Sequence, residues 1–306
     1  MQHTLRSEII CKDVGLHTGE QITMRLLPAA EGHGIVFKRV DLGGNNNIPA
    51  LWDNVTDTQL CTVISNESGA HVGTIEHIMA ALRGCGIDNV LIEIDGSEVP
   101  IMDGSSTEFV KMIDGVGLKS QSLPRRGIRI LKTVSIKQDD KTASLSPSDT
   151  CDFDGTIRFA HDSIGTQRYS TQLVNGNFRH DLAEARTFGF LQEVEWMRAN
   201  GLAKGGSLDN AVVLDDGAVM NPDGLRFDDE FIRHKLLDAV GDLYLAGGPI
   251  LGAYESYKAG HALNNQLLHA LFSDATAWEY VELDKNYQPL VGASEPLLSV
   301  KKAVSA

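Results

Sequence analysis

No stretch of this chain approaches the run of about 18 apolar residues that a membrane span needs. Met1 to Asp13 lack the apolar segment of a secretory leader. Cysteine is scarce and scattered, at positions 11, 61, 85 and 151, with no C-x-x-C pair. That spacing argues against a disulfide frame and a thiolate metal site, and for reduced thiols in a reducing compartment. Positive charge is short as well: the formal net charge is −14. Such a balance argues against sequence-independent nucleic-acid binding, which needs a basic field. A small anionic substrate stays open, because a few local cations override a distant net charge once salt screens it. The glycine runs Gly15-Leu-His-Thr-Gly19 and Leu202-Ala-Lys-Gly-Gly-Ser207 lack P-loop spacing, so neither is assigned a nucleotide-cradling role. The expectation is a cytoplasmic protein, not integral to a membrane, that does not bind nucleic acid.

What remains is the composition of a folded protein, 42% hydrophobic and 22% charged over 306 residues. That length buries one large core or two ordinary ones. A break near residues 120–127, around Pro124 and two arginines, suggests a first domain over 1–123 and a second over 127–300, with 301–306 as a frayed tail. Strand-like segments open each half: Gln21 to Leu27, Ile35 to Arg39 and Cys61 to Ile64, then Ile128 to Ile136, Ala143 to Ser146 and Thr156 to Phe159. In the first half Thr74 reads as an N-cap, with Glu76-His77 at the start of a helix, a buried strand from Asn89 to Ile94, and a second helix from Ser105 or Ser106. In the second half a helix carries His234 and stops at Gly247-Gly248-Pro249. A strand follows from Ile250 to Tyr257, then a helix opening at Gly260-His261. Each half is a small sheet followed by helix, strand, helix, an internal repeat with a histidine early in its first helix. The predicted fold class is α+β: two similar domains, each a small β-sheet layered against helices, with the site between them.

The chemistry starts in Phe231-Ile-Arg-His234-Lys235-Leu-Leu-Asp238-Ala-Val-Gly-Asp242. His234, Asp238 and Asp242 recur every four residues, so they share a helix side. Ile232, Leu236, Ala239, Val240 and Leu243 form an apolar stripe on the other side. Taken alone, this helix reads as an ordinary one with a solvated polar face. The repeat adds His77, which a pseudo-twofold brings to the same cleft, although a single histidine at a helix start is also satisfied by a backbone group. Two histidines and one aspartate make a catalytic zinc set with a fourth position left for water.

Glu76 adjoins that set, where a hydrolytic site needs a carboxylate to take a proton from water. It also suits the first turn of any helix, stabilised by the dipole, which together with a metal keeps it ionised. The order is not H-E-x-x-H, since Glu76 precedes His77 and position 81 is Ala, and this excludes a thermolysin-type helix. His261 is the candidate acid for a leaving nitrogen. Its place at a helix N-terminus disfavours imidazolium, so an anion is needed beside it, and Asp242 is that anion. Lys235 falls near Asp242 on the helical wheel and suits a substrate phosphate or a developing oxyanion; a solvated surface lysine is the alternative.

Taken together, Thr74-Ile-Glu-His-Ile-Met-Ala-Ala-Leu82, Pro100-Ile-Met-Asp-Gly-Ser105, Ala185-Arg-Thr-Phe-Gly-Phe190, Gly224-Leu-Arg-Phe-Asp228, His234-Lys-Leu-Leu-Asp238 and Ser256-Tyr-Lys-Ala-Gly-His-Ala-Leu-Asn-Asn265 closely resemble the UDP-3-O-acyl-N-acetylglucosamine deacetylases, zinc amidases of lipid A biosynthesis. The resemblance runs in order along essentially the whole chain. It implies zinc on His77, His234 and Asp238, Glu76 as general base, and His261 paired with Asp242 as acid or electrostatic partner. It implies a carbonyl-polarising hydroxyl on Thr187 and substrate contacts at Phe188 and Lys235. It also implies a tunnel for the 3-O-acyl chain, built from a second-domain insert near 190–213 and lined by Leu16, Val194, Ala203, Gly206, Ser207 and Val213. Within Phe190 to Val213, the apolar residues Leu191, Val194, Trp196, Met197 and Leu202 fit such a lining or an ordinary amphipathic helix. The implied activity is release of acetate from a UDP-linked, acylated amino sugar by a monomer, with Fe2+ able to replace Zn2+. Another amidase or esterase uses the same ligand set. A sugar-nucleotide binding protein without turnover needs neither Glu76 nor His261.

Overall fold

A computed structural model describes residues 1–284, in which six helices alternate with small sheets in an α+β arrangement. The expected tail at 301–306 and the expected domain end at 300 lie outside the described residues. The helices are α1 (Glu76–Cys85), α2 (Thr107–Val116), α3 (Phe178–Asp181), α4 (Leu191–Ala199), α5 (Glu230–Tyr244) and α6 (His261–Ser273). No described helix is long and apolar enough to cross a membrane.

A five-stranded sheet occupies the early chain, in the order Ile9–Val14, Gln21–Pro28, Val90–Ile94, Ile35–Arg39, Asn47–Pro49. Alternate residues of Gln21–Pro28 turn inward, with Ile22, Met24 and Leu26 buried, as a period of two requires. A seven-stranded sheet forms after residue 124, and in it Ile250–Tyr257 pairs with Arg125–Ile130, Lys141–Ser146 and Cys151–Arg158. The two sheets share one device. Val90–Ile94 runs parallel to Ile35–Arg39, and Ile250–Tyr257 runs parallel to Arg125–Ile130 and Cys151–Arg158. Parallel neighbours need a long crossover. In each case a histidine-bearing helix, α1 or α5, lies in the crossover that leads into the returning strand.

These two helices pack against each other. Ile232 and Leu236 of α5 press on the seven-stranded sheet at Gly155, where a Cβ would meet both side chains. The opposite face of α5 is not solvated: His234, Asp238, Gly241 and Asp242 are all buried. At Gly241 a Cβ would overlap the backbone carbonyl of Glu76 in α1. Glycine inside a helix costs about 1 kcal/mol relative to alanine. Here it lets the two backbones approach closely enough for their polar faces to meet.

Several elements depart from the sequence expectation. Ile128 to Ile136 is not one strand; the chain breaks after Ile130, where Leu131 N–H turns to the Ala277 carbonyl, and resumes at Val134–Gln138. The strand expected over Cys61 to Ile64 begins at Val63, which frees Thr62 to bond elsewhere. Thr74 is not an N-cap: its φ is +56° and its hydroxyl donates to Glu98 Oε1 at 2.9 Å. Helix α5 ends at Tyr244, short of Gly247-Gly248-Pro249.

Candidate functional site

Where α1 meets α5, His77, His234 and Asp238 come together, all buried, with one ligand atom from each lying within 4.8 Å of the others. Asp238 Oδ1 sits 3.3 Å from His234 Nε2 and 3.6 Å from His77 Nε2. The two imidazoles meet edge to face, ring centroids 5.0 Å apart. His234 Nδ1 lies 3.0 Å from the Ala185 carbonyl. A carbonyl only accepts, so Nδ1 carries the proton and the Nε2 lone pair faces the cluster. Burial pushes the His234 pKa down to about 3, against the pull of Asp238, so this ring is neutral and ready to ligate.

Asp238 supplies the fit test for a metal. Its Oδ2 accepts from Lys235 Nζ at 2.7 Å, while its buried Oδ1 has no hydrogen-bond partner. Burial alone would raise this carboxyl, yet His234 first, then the bonded Lys235, then His77 and His261 hold it well below the usual carboxylate range. An ionised oxygen left unpaired in the interior costs more than the roughly 1–3 kcal/mol of a neutral polar group. A cation between the three side chains satisfies it, and the donor set of two imidazoles and a carboxylate suits one.

Lys235 bonds Asp238 at i, i+3. Burial opposes its charge, but Asp238 first, and then Asp242 and Glu76, raise its pKa, so Asp242 lies within electrostatic reach, as the shared helix side implies.

Beside the cluster lies an acid–base pair. Glu76, the first residue of α1, is buried, and its Oε1 is 3.9 Å from His261 Nε2. Burial raises the Glu76 pKa, opposed by His261 and His77 and helped by Asp238 and Asp242. His261 opens α6, and its Nδ1 is 2.9 Å from Asp242 Oδ2. Burial lowers the imidazolium pKa, but Asp242, Glu76 and Asp238 outweigh it and lift it to about 9.

The structure also has a cavity of about 240 Å³. Thr187 and Phe188 line it, and the Phe188 ring is 6.2 Å from that of His234. Leu16, Val194, Ala203, Gly206, Ser207 and Val213 line the rest, together with Leu191 and Met197. Lys235, Trp196 and Leu202 do not line it. Helix α4 turns Trp196 outward, 63% exposed, so of its two readings it does not take the lining one. The two glycine runs meet here: Gly205 N–H donates to the Leu16 carbonyl at 3.0 Å. The N–H groups of His17 and Thr18 are taken by the Glu98 carboxylate, so this loop spends its donors within the protein.

Comparison with known proteins identifies the family. The family model described as LpxC, UDP-3-O-acyl N-acetylglycosamine deacetylase, matches residues 2–273. The chain belongs to this family. A UDP-3-O-acyl-N-acetylglucosamine deacetylase of Stenotrophomonas maltophilia (strain K279a) is 47% identical over 94% of this chain and 95% of its own length. Those of Idiomarina loihiensis, 48% identical over 93% and 94%, and Xanthomonas axonopodis pv. citri, 46% over 97% and 98%, are similar to the same extent.

Against that family background, the site contains residues that sequence reasoning missed. Asn264 Nδ2 donates to Asp242 Oδ2 at 2.9 Å, and Tyr254 O–H donates to Asn264 Oδ1 at 2.7 Å. Asn264 follows His261 at i+3, a spacing that could have flagged it. Thr62 bonds both Glu76 and Asp242, and no pattern in the sequence marks it.

Proposed function

We propose that the protein hydrolyses the N-acetyl group of UDP-3-O-acyl-N-acetylglucosamine, giving acetate and the free amine, as a zinc-dependent step of lipid A biosynthesis in the cytoplasm. The observation that carries this reading is the buried His77, His234 and Asp238 group flanked by the Glu76 and His261 pair. The printed names of the relatives supply the substrate class.

His77, His234 and Asp238 hold the ion; zinc suits these donors and Fe2+ fits them as well. A bound divalent ion lowers the pKa of a water molecule towards 7 and polarises a carbonyl. Glu76 accepts a proton as water adds to the amide carbon, a role that its raised pKa favours. The hydroxyl of Thr187, which lines the cavity, donates to the carbonyl oxygen as charge builds there. The C–N bond then breaks and the nitrogen leaves with a proton from His261 or from Glu76. Asp242 keeps His261 oriented and cationic. The acyl chain occupies the cavity lined by Leu16, Val194, Ala203, Gly206, Ser207 and Val213, and Phe188 and Lys235 contact the substrate. A domain boundary near 120–127 belongs to this reading too. Leu118–Ser120 pairs with His3–Leu5, and Arg125–Ile130 enters the later sheet.

Metal analysis of the purified protein, paired with an acetate-release assay on the UDP-sugar, tests this. About one ion per chain and stoichiometric acetate and amine are expected. Metal-loaded protein that releases no acetate sinks the reading.

A further inference from the structure

We propose that Thr62 is a positioning residue that fixes both halves of the acid–base pair at once. Thr62 is buried and lies between two short strands, Val55–Asp57 and Val63–Ser65, outside the helices that carry the site. Its backbone N–H donates to Glu76 Oε2 at 3.1 Å, and its hydroxyl donates to Asp242 Oδ1 at 2.6 Å. One residue therefore reaches the carboxylate of α1 and the carboxylate of α5.

The two bonds divide the oxygens of each acid. With Oε2 held by Thr62, Glu76 keeps Oε1 towards His261 Nε2, 3.9 Å away. Asp242 has Oδ1 taken by Thr62 and Oδ2 shared by Asn264 and His261 Nδ1. A carboxylate held at both oxygens cannot turn about its terminal bond, so the imidazole bonded to it is held in plane as well. Asn264 is itself fixed by Tyr254, which leaves the Thr62 hydroxyl as the one restraint on Oδ1 among the described bonds. Thr62 is neither one of the candidate metal ligands nor one of the residues that line the cavity. It acts through Asp242 and Glu76.

This inference rests on the deacetylase reading, and the experiment separates the two. Thr62→Val keeps shape and backbone donor but removes the hydroxyl; Thr62→Ser keeps both donors. In the full-length metal-loaded protein, Thr62→Val should lower kcat about 10- to 100-fold, the range typical of lost outer-shell hydrogen bonds. KM and metal content should stay near wild type, and Thr62→Ser should recover most of the loss. In an Asp242→Asn background, Thr62→Val should add little further loss, because coupled residues are not additive. Should Thr62→Val fold poorly, Thr62→Ala carries the same expectation. A folded, metal-loaded variant without the hydroxyl that turns over at the wild-type kcat overturns the proposal. So does a full additional loss in the Asp242→Asn background. Wild-type protein with no deacetylase activity overturns the functional reading instead.

Discussion

His77 and His234, one from each half of the chain, meet edge to face at an interplanar angle of 78°, and both point Nε2 towards one oxygen of Asp238. The three side chains converge on a common point, and the oxygen between the rings has no other partner.

Removal of a ligand should show first in metal content. His234→Ala is expected to lower bound metal as well as rate, as read by elemental analysis after purification. A chelator should lower the unfolding temperature of the wild type, since a ligand bound to the native state stabilises it by mass action. An unchanged metal assay in the variant would remove His234 from the ligand set.

Glu76→Ala separates metal binding from chemistry. The variant should keep its ion, because Glu76 lies outside the cluster of three. It should lose at least about 100-fold in kcat, the usual worth of a general base. Steady-state kinetics at matched metal occupancy decide it, and full activity would reject the role.

The pH profile should be bell-shaped. The active form needs Glu76 ionised, so activity falls as pH drops through its raised pKa. It needs His261 protonated, so activity also falls as pH rises past a value near 9. A bound cation is a new positive charge beside both groups and draws both limbs to lower pH. His261→Ala should flatten the alkaline limb; a limb that persists would assign it to another group.

Acidification should also weaken the metal-free fold. The pKa of His234 is depressed to about 3 in the folded chain, from an ordinary value near 6.5. The unfolded chain therefore takes up that proton first, and stability present above pH 6.5 is lost as pH falls towards 3. Denaturant titrations of the apo protein across this window measure it, and a pH-independent midpoint would contradict it.

Gly241→Ala should force α1 away from α5. Its Cβ would overlap the Glu76 carbonyl, which is backbone and cannot swing aside. Overpacking of this kind costs roughly 1–3 kcal/mol. Weaker metal retention should accompany the loss, because the displaced helix carries His77. Wild-type stability with full metal content would show that the helices tolerate separation.

Much of this arrangement was legible in the order of residues. The Ile35–Arg39 and Ile250–Tyr257 strands fall where apolar runs bounded by turn residues put them. The i, i+4 spacing of His234 and Asp238 is a property of the helix alone, and so is their shared side. What the helix could not reveal is what that side faces. The wheel of α5 shows polar residues opposite an apolar stripe, which in a lone helix means solvent. In the fold it means α1, and the polar residues become a buried site. Trp196 shows the reverse: an apolar side chain in α4 that fitted either a cavity lining or an ordinary amphipathic helix, and that the fold turns outward. Thr62 has no local signature, since its two partners lie 14 and 180 positions away. Local periodicity determines which residues share a face, because the backbone repeats. Only the packing of one element on another decides which face is dry and which hydrogen bonds close there.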